Sequence, residues 1–216
     1  PARAPAIAPE AAKATIPTTV ITRSGSGSSN TVKASHSGFT DASPDHRTVC
    51  QDSSMSEKII NTYQESVTVN ASAQDLYDIV SDITRTGEWS PVCTSCWWDD
   101  EESAGAVGAW FTGRNVLPER TWDTRSLVVV ADPGREFAWV VGGTYVRWGY
   151  TLTAVDDGTV LTEMWEFLPE GIAMFEEKHG DEAATRIADR TQQALDGIPK
   201  TLAAIKRIAE SGQQGL

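Results

Sequence analysis

The chain has 216 residues, a length that holds one ordinary domain and a tail. Its 30 acidic residues against 18 basic ones give a formal net charge of −12, which repels a phosphate backbone, and no Lys/Arg cluster interrupts it, so nucleic-acid binding is not expected. No apolar run approaches the ~20 residues of a membrane span, and the N-terminus lacks the charged-then-apolar layout of a signal peptide, so a cytoplasmic protein without stable membrane insertion is expected.

Residues 1–56 differ in composition from the rest. Pro1 to Ala14 is Ala/Pro-rich and Ser24 to Asn30 is Gly/Ser-rich. Neither stretch buries enough apolar area to offset the entropy of ordering it. The expected organisation is a disordered extension over 1–56, one domain over 57–211 and a short disordered tail over 212–216. Met55-Ser56-Glu57 looks like a natural chain start, which makes the preceding residues read as a dispensable extension or a start-site artefact; a linker from another domain is the alternative. His36, His46 and Cys50 fall in this stretch and receive no role in a site.

Tyr63 to Asn70 alternates polar and apolar residues, with Val67 and Val69 on one face, and predicts a first strand. Ser72 follows as an N-cap with Asp75 three residues on, ahead of Leu76, Tyr77, Ile79 and Val80 at helical spacing. Ile83 to Trp89 predicts a second short helical turn, stopped at Ser90-Pro91 because the residue before proline is pushed out of the helical region. Cys93 and Cys96 form a C-x-x-C with no second pair and no nearby His, and they lead into Trp97-Trp98 and a strand rather than a helix. They read as ordinary thiols, not as a metal or redox site.

From Val92 onward the chain predicts six strands joined by tight turns, including the runs Trp110–Asn115, Trp122–Val130, Phe137–Val141, Val146–Leu152 and Leu161–Phe167. Turn signals such as Asp132-Pro133-Gly134, Gly142-Gly143 and Asp156-Asp157-Gly158 separate them. The pattern is that of an antiparallel meander. Beyond Pro169-Glu170-Gly171 a looser acidic stretch is expected, with Glu176, Glu177, Asp181, Glu182 and His179 at the surface. Ala183 to Glu210 then carries Ile187, Ala194, Leu195, Ile198, Leu202, Ile205 and Ile208 on one stripe of a long helix. Pro199 removes one backbone hydrogen bond from that helix at a cost of ~3 kcal/mol and is expected to kink it.

All eight tryptophans lie between Trp89 and Trp165, most of them on these strands. So many large rings on one face of a bent sheet are hard to close-pack, which points to a hollow lined by rings. Alternation selects the inward set on each strand. Phe111, Gly113 and Asn115 face in, leaving Arg114 in solvent; Trp122, Thr124, Ser126 and Val128 come next, then Phe137, Trp139 and Val141, then Val146, Trp148, Tyr150 and Leu152. On the last strand Leu161, Trp165 and Phe167 share their face with Glu163. A buried carboxylate must be hydrogen-bonded, paired or protonated. Glu163 is therefore either a poised acid, a partner of an Arg across the strands, or turned out by a bulge. Trp97, Trp98 and Trp110 are expected outside or at an edge, Trp89 at the cavity mouth, and Leu202 facing the cavity from the helix.

The segments Gly108–Asn115, Trp122–Thr124, Pro133–Trp139, Trp148–Leu152 and Gly158–Glu163 resemble the SRPBCC superfamily, specifically its polyketide cyclase/dehydrase-like branch, over about Glu57 to Glu210. The element order likewise resembles the helix-grip, START-like α+β fold: a curved antiparallel sheet of about seven strands, two short helices after strand one, and a long C-terminal helix covering a cavity. Proteins of this kind include aromatase/cyclases and lipid and hormone carriers, so fold analogy leaves the function open. Three readings stand. The first is a binding protein for a hydrophobic, aromatic or polyketide-like molecule, held by Trp89, Phe111, Asn115, Trp122, Thr124, Trp139, Trp148, Tyr150, Trp165 and Leu202. The second is a cyclase or dehydrase in which Glu163, Tyr150 or Arg147 moves protons. The third is an acidic protein-interaction module with a vestigial cavity. No metal or organic cofactor is implied; a homodimer is compatible with any of these readings, and the third adds a basic protein partner for the acidic surface. The strand region contains no His, which favours binding over the commonest acid–base arrangements.

Overall fold

A computed structural model describes residues 61–212, and the expected extension over 1–56 lies outside the described residues. The chain opens on β1 (Thr62–Val69) and passes to α1 (Ala73–Ser81), whose N-terminus is capped as Ser72 Oγ accepts from the Asp75 N–H at 3.1 Å. A 3₁₀ turn over Ile83–Glu88 comes next, started by the Asp82 carboxylate accepting from the Thr84 N–H. Then come β2 (Cys93–Trp98), β3 (Trp110–Leu117), β4 (Arg120–Asp132), β5 (Glu136–Val141), β6 (Val146–Val155) and β7 (Gly158–Phe167). The order across the sheet is β1-β7-β6-β5-β4-β3-β2. Each neighbour is antiparallel, so β2 to β7 form a meander and β1 returns to close the far edge beside β7.

Two irregularities bend this sheet. On β4 the register shifts between Val128 and Val130, and on β2 it shifts between Cys93 and Ser95. An extra residue on one strand reverses the facing of the residues beyond it. Residues three apart in a regular strand point to opposite faces. Because Thr94 is the extra residue, Cys93 stands opposite Asn115 and Cys96 opposite Gly113, and both thiols face inward.

The stretch after β7 is more ordered than its composition predicts. α2 spans Pro169–His179. Pro169 occupies its first turn, where a fixed φ suits the helix and no N–H is needed. Phe175 docks edge-on against Phe167 with ring centroids 5.3 Å apart. The apolar signal is sparse, Ile172, Met174 and Phe175 among acids, and tertiary packing supplies what periodicity did not show. α3 (Ala183–Gly212) runs as one helix through Pro199 and includes Gly212, the first residue of the expected tail.

The dry core lies where the second half of α3 crosses α1, β1 and β7. Leu76, Val80, Val69, Leu161, Ile198, Leu202 and Ile205 are each at most 2% exposed. The cavity opens beside this core, under the first half of α3, with Val80 and Ile198 at the boundary between the two.

Candidate functional site

Between the inner face of the sheet, the first half of α3 and the segment from Val80 to Cys93 lies a cavity of about 740 Å³, within the usual range for a small-molecule pocket. Strand alternation builds its walls. β3 contributes Phe111, Gly113 and Asn115; β4 Trp122, Thr124 and Ser126; β5 Trp139 and Val141; β6 Val146, Trp148 and Tyr150; β7 Glu163, Trp165 and Phe167. Edge-on and tilted ring contacts join Phe111, Trp139 and Tyr150 at centroid distances of 6.1 and 5.8 Å, so these three make a continuous aromatic stretch of the wall, and Trp98 packs edge-on against Phe111 at 5.7 Å without lining the cavity. Trp97 and Trp110 sit on the other face beneath Arg114 and Arg125.

Two expected positions differ. Leu202 does not line the cavity; it is 2% exposed in the core behind it. The α3 residues that reach the cavity are Arg186, Arg190, Gln193, Ala194, Gly197, Ile198 and Thr201, one helical face further toward the N-terminus. Trp89, expected at the mouth, lines the cavity but is only 5% exposed. Its indole N–H donates toward the Tyr150 phenol oxygen.

Tyr150 and Glu163 face each other across β6 and β7, and the phenol donates to Glu163 Oε1 at 3.4 Å. Glu163 is 3% exposed and its Oε2 has no hydrogen-bond partner. No ion pair reaches it among the described residues; Arg147 holds Glu136 instead, at 3.0 Å. Burial raises the Glu163 carboxyl from 4.5 to about 8, with the Tyr150 hydrogen bond pulling the other way. Tyr150 is itself held well above its ordinary value, by burial first and then by the neighbouring Glu163 charge. Near neutral pH the pair is a protonated acid beside a neutral phenol, able to donate to a carbonyl or phenol and to exchange a proton with it.

The other polar groups are bonded within the sheet. Asn115 Nδ2 donates to Thr124 Oγ1 at 3.1 Å, and Thr124 Oγ1 donates to the Gly113 carbonyl at 3.4 Å. The two thiols lie 3.2 Å apart over Gly113, where an added Cβ would come within 3.2 Å of both sulfurs. Hydrogen bonds from Cys93 and Thr86 hold the Cys96 thiol below its ordinary value, while Cys93 is pushed up by its bond to Cys96 and by burial. Among the described residues no three His, Cys, Asp or Glu side chains are grouped to hold a metal ion, and no helix is long and apolar enough to cross a membrane.

The rim is formed by Arg120, the turn at Gly142 and Tyr145, Lys178 and His179 at the end of α2, and Arg186 and Arg190 at the start of α3. Sequence periodicity did not mark these residues, because they come from the ends of separate elements.

A curved antiparallel sheet closed by a long C-terminal helix over a ring-lined cavity defines the helix-grip, START-like class of α+β proteins. Residues 62–203 match the family described as polyketide cyclase / dehydrase and lipid transport, and the chain belongs to that family. Among solved structures it is similar to the polyketide cyclase-like protein Cgl2372 of Corynebacterium glutamicum: 52% identity over 70% of this chain and 93% of that one, with a TM-score of 0.55. The di-domain aromatase/cyclase StfQ of the steffimycin biosynthetic pathway shares the fold at 15% identity and a TM-score of 0.54, covering 72% of this chain and 52% of StfQ. Protein NE0264 of Nitrosomonas europaea shares it at 10% identity and a TM-score of 0.52, covering 71% of this chain and 97% of that one. A comparison with curated proteins gave no match.

Proposed function

We propose that this protein binds a hydrophobic small molecule with aromatic or polyketide-like character in the cavity under α3. The observation that carries the reading is the cavity itself: about 740 Å³ of space walled by Trp89, Trp122, Trp139, Trp148 and Trp165. Rings of this kind supply stacking area at low entropic cost, and the polar row Trp89–Tyr150–Glu163 gives a ligand carbonyl or phenol one defined place to point. A cavity filled by its own side chains would have suited an interaction module; an open one suits a ligand. Native mass spectrometry of the protein purified from its own host tests this. A retained small molecule, displaced when Trp148 or Trp139 is replaced by alanine, is the expected result, and wild-type protein that neither retains a molecule nor binds any apolar probe would refute it.

A second reading, favoured by the buried Glu163–Tyr150 pair, is a cyclase or dehydrase. In this scheme the cavity folds a poly-carbonyl chain so that an enol carbon meets a carbonyl carbon. Protonated Glu163 gives its proton to the carbonyl oxygen as the carbon–carbon bond forms, and the enol oxygen releases its own proton to solvent as it becomes a ketone. The resulting carboxylate then takes a proton from the carbon between the new alcohol and that ketone and passes it to the hydroxyl, which leaves as water as the carbon–carbon double bond forms; a solvent proton restores the acid. Glu163→Gln separates the readings. In the enzyme it abolishes turnover with binding nearly intact; a parallel loss of both points to a carrier.

A further inference from the structure

At the rim, two guanidinium groups meet on one indole. The Arg120 Cζ lies 4.0 Å from the Trp122 ring centroid and the Arg190 Cζ 5.6 Å from the same ring. Their situation differs from that of most arginines in the fold. Arg85, Arg114, Arg125, Arg135, Arg147 and Arg186 each hold a carboxylate within 4.0 Å. Among the described residues Arg120 and Arg190 hold none, and Arg190 donates only to the Gln193 side-chain oxygen, at 2.8 Å.

In a chain with 30 acidic residues this pairing of like charges without a counter-ion is unfavourable by itself. Arg190 is partly buried, and burial and the Arg120 charge both work against its ionised form. Of the neighbouring charges Asp189 opposes this, from an exposed position and without an ion pair among the described residues, while Asp123 is bound by Arg114, and Arg186, bound to Glu182, adds a further positive charge. Placed over Trp122, both guanidinium groups keep N–H donors that no carboxylate takes up among the described residues. That is the arrangement that reads a carboxylate, sulfonate or phosphate through paired N–H donors.

We propose that Arg120 and Arg190, set on Trp122, are a recognition site for an anionic group on the ligand whose apolar part fills the cavity. This rests on the ligand-binding reading above and narrows its substrate class to acidic amphiphiles. It also orients them. The deep wall is lined by rings, with no cation beside Glu163 among the described residues, so an anion there would be buried without a counter-charge, while the protonated Glu163 donates to a neutral carbonyl or phenol; the charged end therefore lies at the rim and the unsaturated end inside.

The test uses the full chain and two fluorescent probes with the same ring system, anilinonaphthalene sulfonate and the uncharged phenylnaphthylamine. Wild type is expected to bind the sulfonate about tenfold or more tightly than the neutral probe. The double variant Arg120→Gln/Arg190→Gln should lose that preference while binding the neutral probe within about twofold of wild type, and added salt should weaken only the sulfonate. Arg120→Lys/Arg190→Lys, which keeps the charge without the planar fork, should fall between. Equal binding of the two probes by wild type, or equal loss of both in the glutamine variant with its unfolding midpoint unchanged, overturns the proposal and leaves cavity binding standing. If wild type binds neither probe, the ligand-binding reading fails first.

Discussion

Replacing Glu163 by glutamine keeps the size and hydrogen-bonding shape of the protonated acid and removes only its ability to ionise. In the unfolded chain this carboxyl titrates near 4.5, and in the folded cavity near 8. Below pH 4.5 both states hold the proton, and the contribution to stability is fully present. Between the two values the folded state keeps a proton that the unfolded state has released, so stability falls as pH rises. Above about 8 both are ionised and the loss is complete. Over the interval from 4.5 to about 8, at about 1.4 kcal/mol per pH unit, the amount lost is on the order of 5 kcal/mol. Glu163→Gln does not lose it. Urea unfolding followed by tryptophan fluorescence should therefore find variant and wild type within about 1 kcal/mol of each other near pH 5, and the variant several kcal/mol more stable near pH 9. Every other titrating group is common to both proteins, so the pH dependence of their difference reports Glu163 alone. A difference that stays constant between those pH values would show that this carboxyl is not held protonated by burial.

The geometry sets three more outcomes. Tyr150→Phe removes the one hydrogen bond that opposes burial at Glu163, so the midpoint of the pH-dependent fluorescence change should move to higher pH; a downward move would mean that the phenol does not donate to the carboxylate. Gly171→Ala would drive a Cβ into the Tyr145 carbonyl oxygen, which forces α2 off the turn that precedes β6 and should lower stability by about 1–3 kcal/mol in thermal unfolding. An unchanged midpoint would contradict the close packing of that helix. Leu202→Ala should cost about 2–5 kcal/mol yet leave the affinity of the neutral probe unchanged in the folded protein, because Leu202 belongs to the core and not to the cavity wall; a loss of affinity without a loss of stability would return it to the site.

Local physics written along the chain determined much of this protein. A strand with one dry face must alternate, so Phe111, Asn115, Trp122, Trp139, Trp148, Tyr150 and Glu163 could be assigned to a common interior from their parity. Ser72 marked the start of α1 because its side chain answers an N–H that the helix leaves unbonded. Where period or local chemistry ceased to discriminate, tertiary structure decided. The apolar stripe of α3 is the same kind of surface along its whole length, and only its crossing over the sheet settled that Ala194 and Gly197 face the cavity while Leu202 fills the core. α2 lacks a strong stripe and is held by the Phe167–Phe175 contact. The thiols of Cys93 and Cys96 came to one face through a single extra residue, an event that a two-residue period cannot encode. Arg120 and Arg190 belong to elements far apart in sequence, and their meeting on Trp122 exists only once sheet and helix have closed. Periodicity reports which way a side chain faces its own element; which other side chain it finds there depends on how the elements pack.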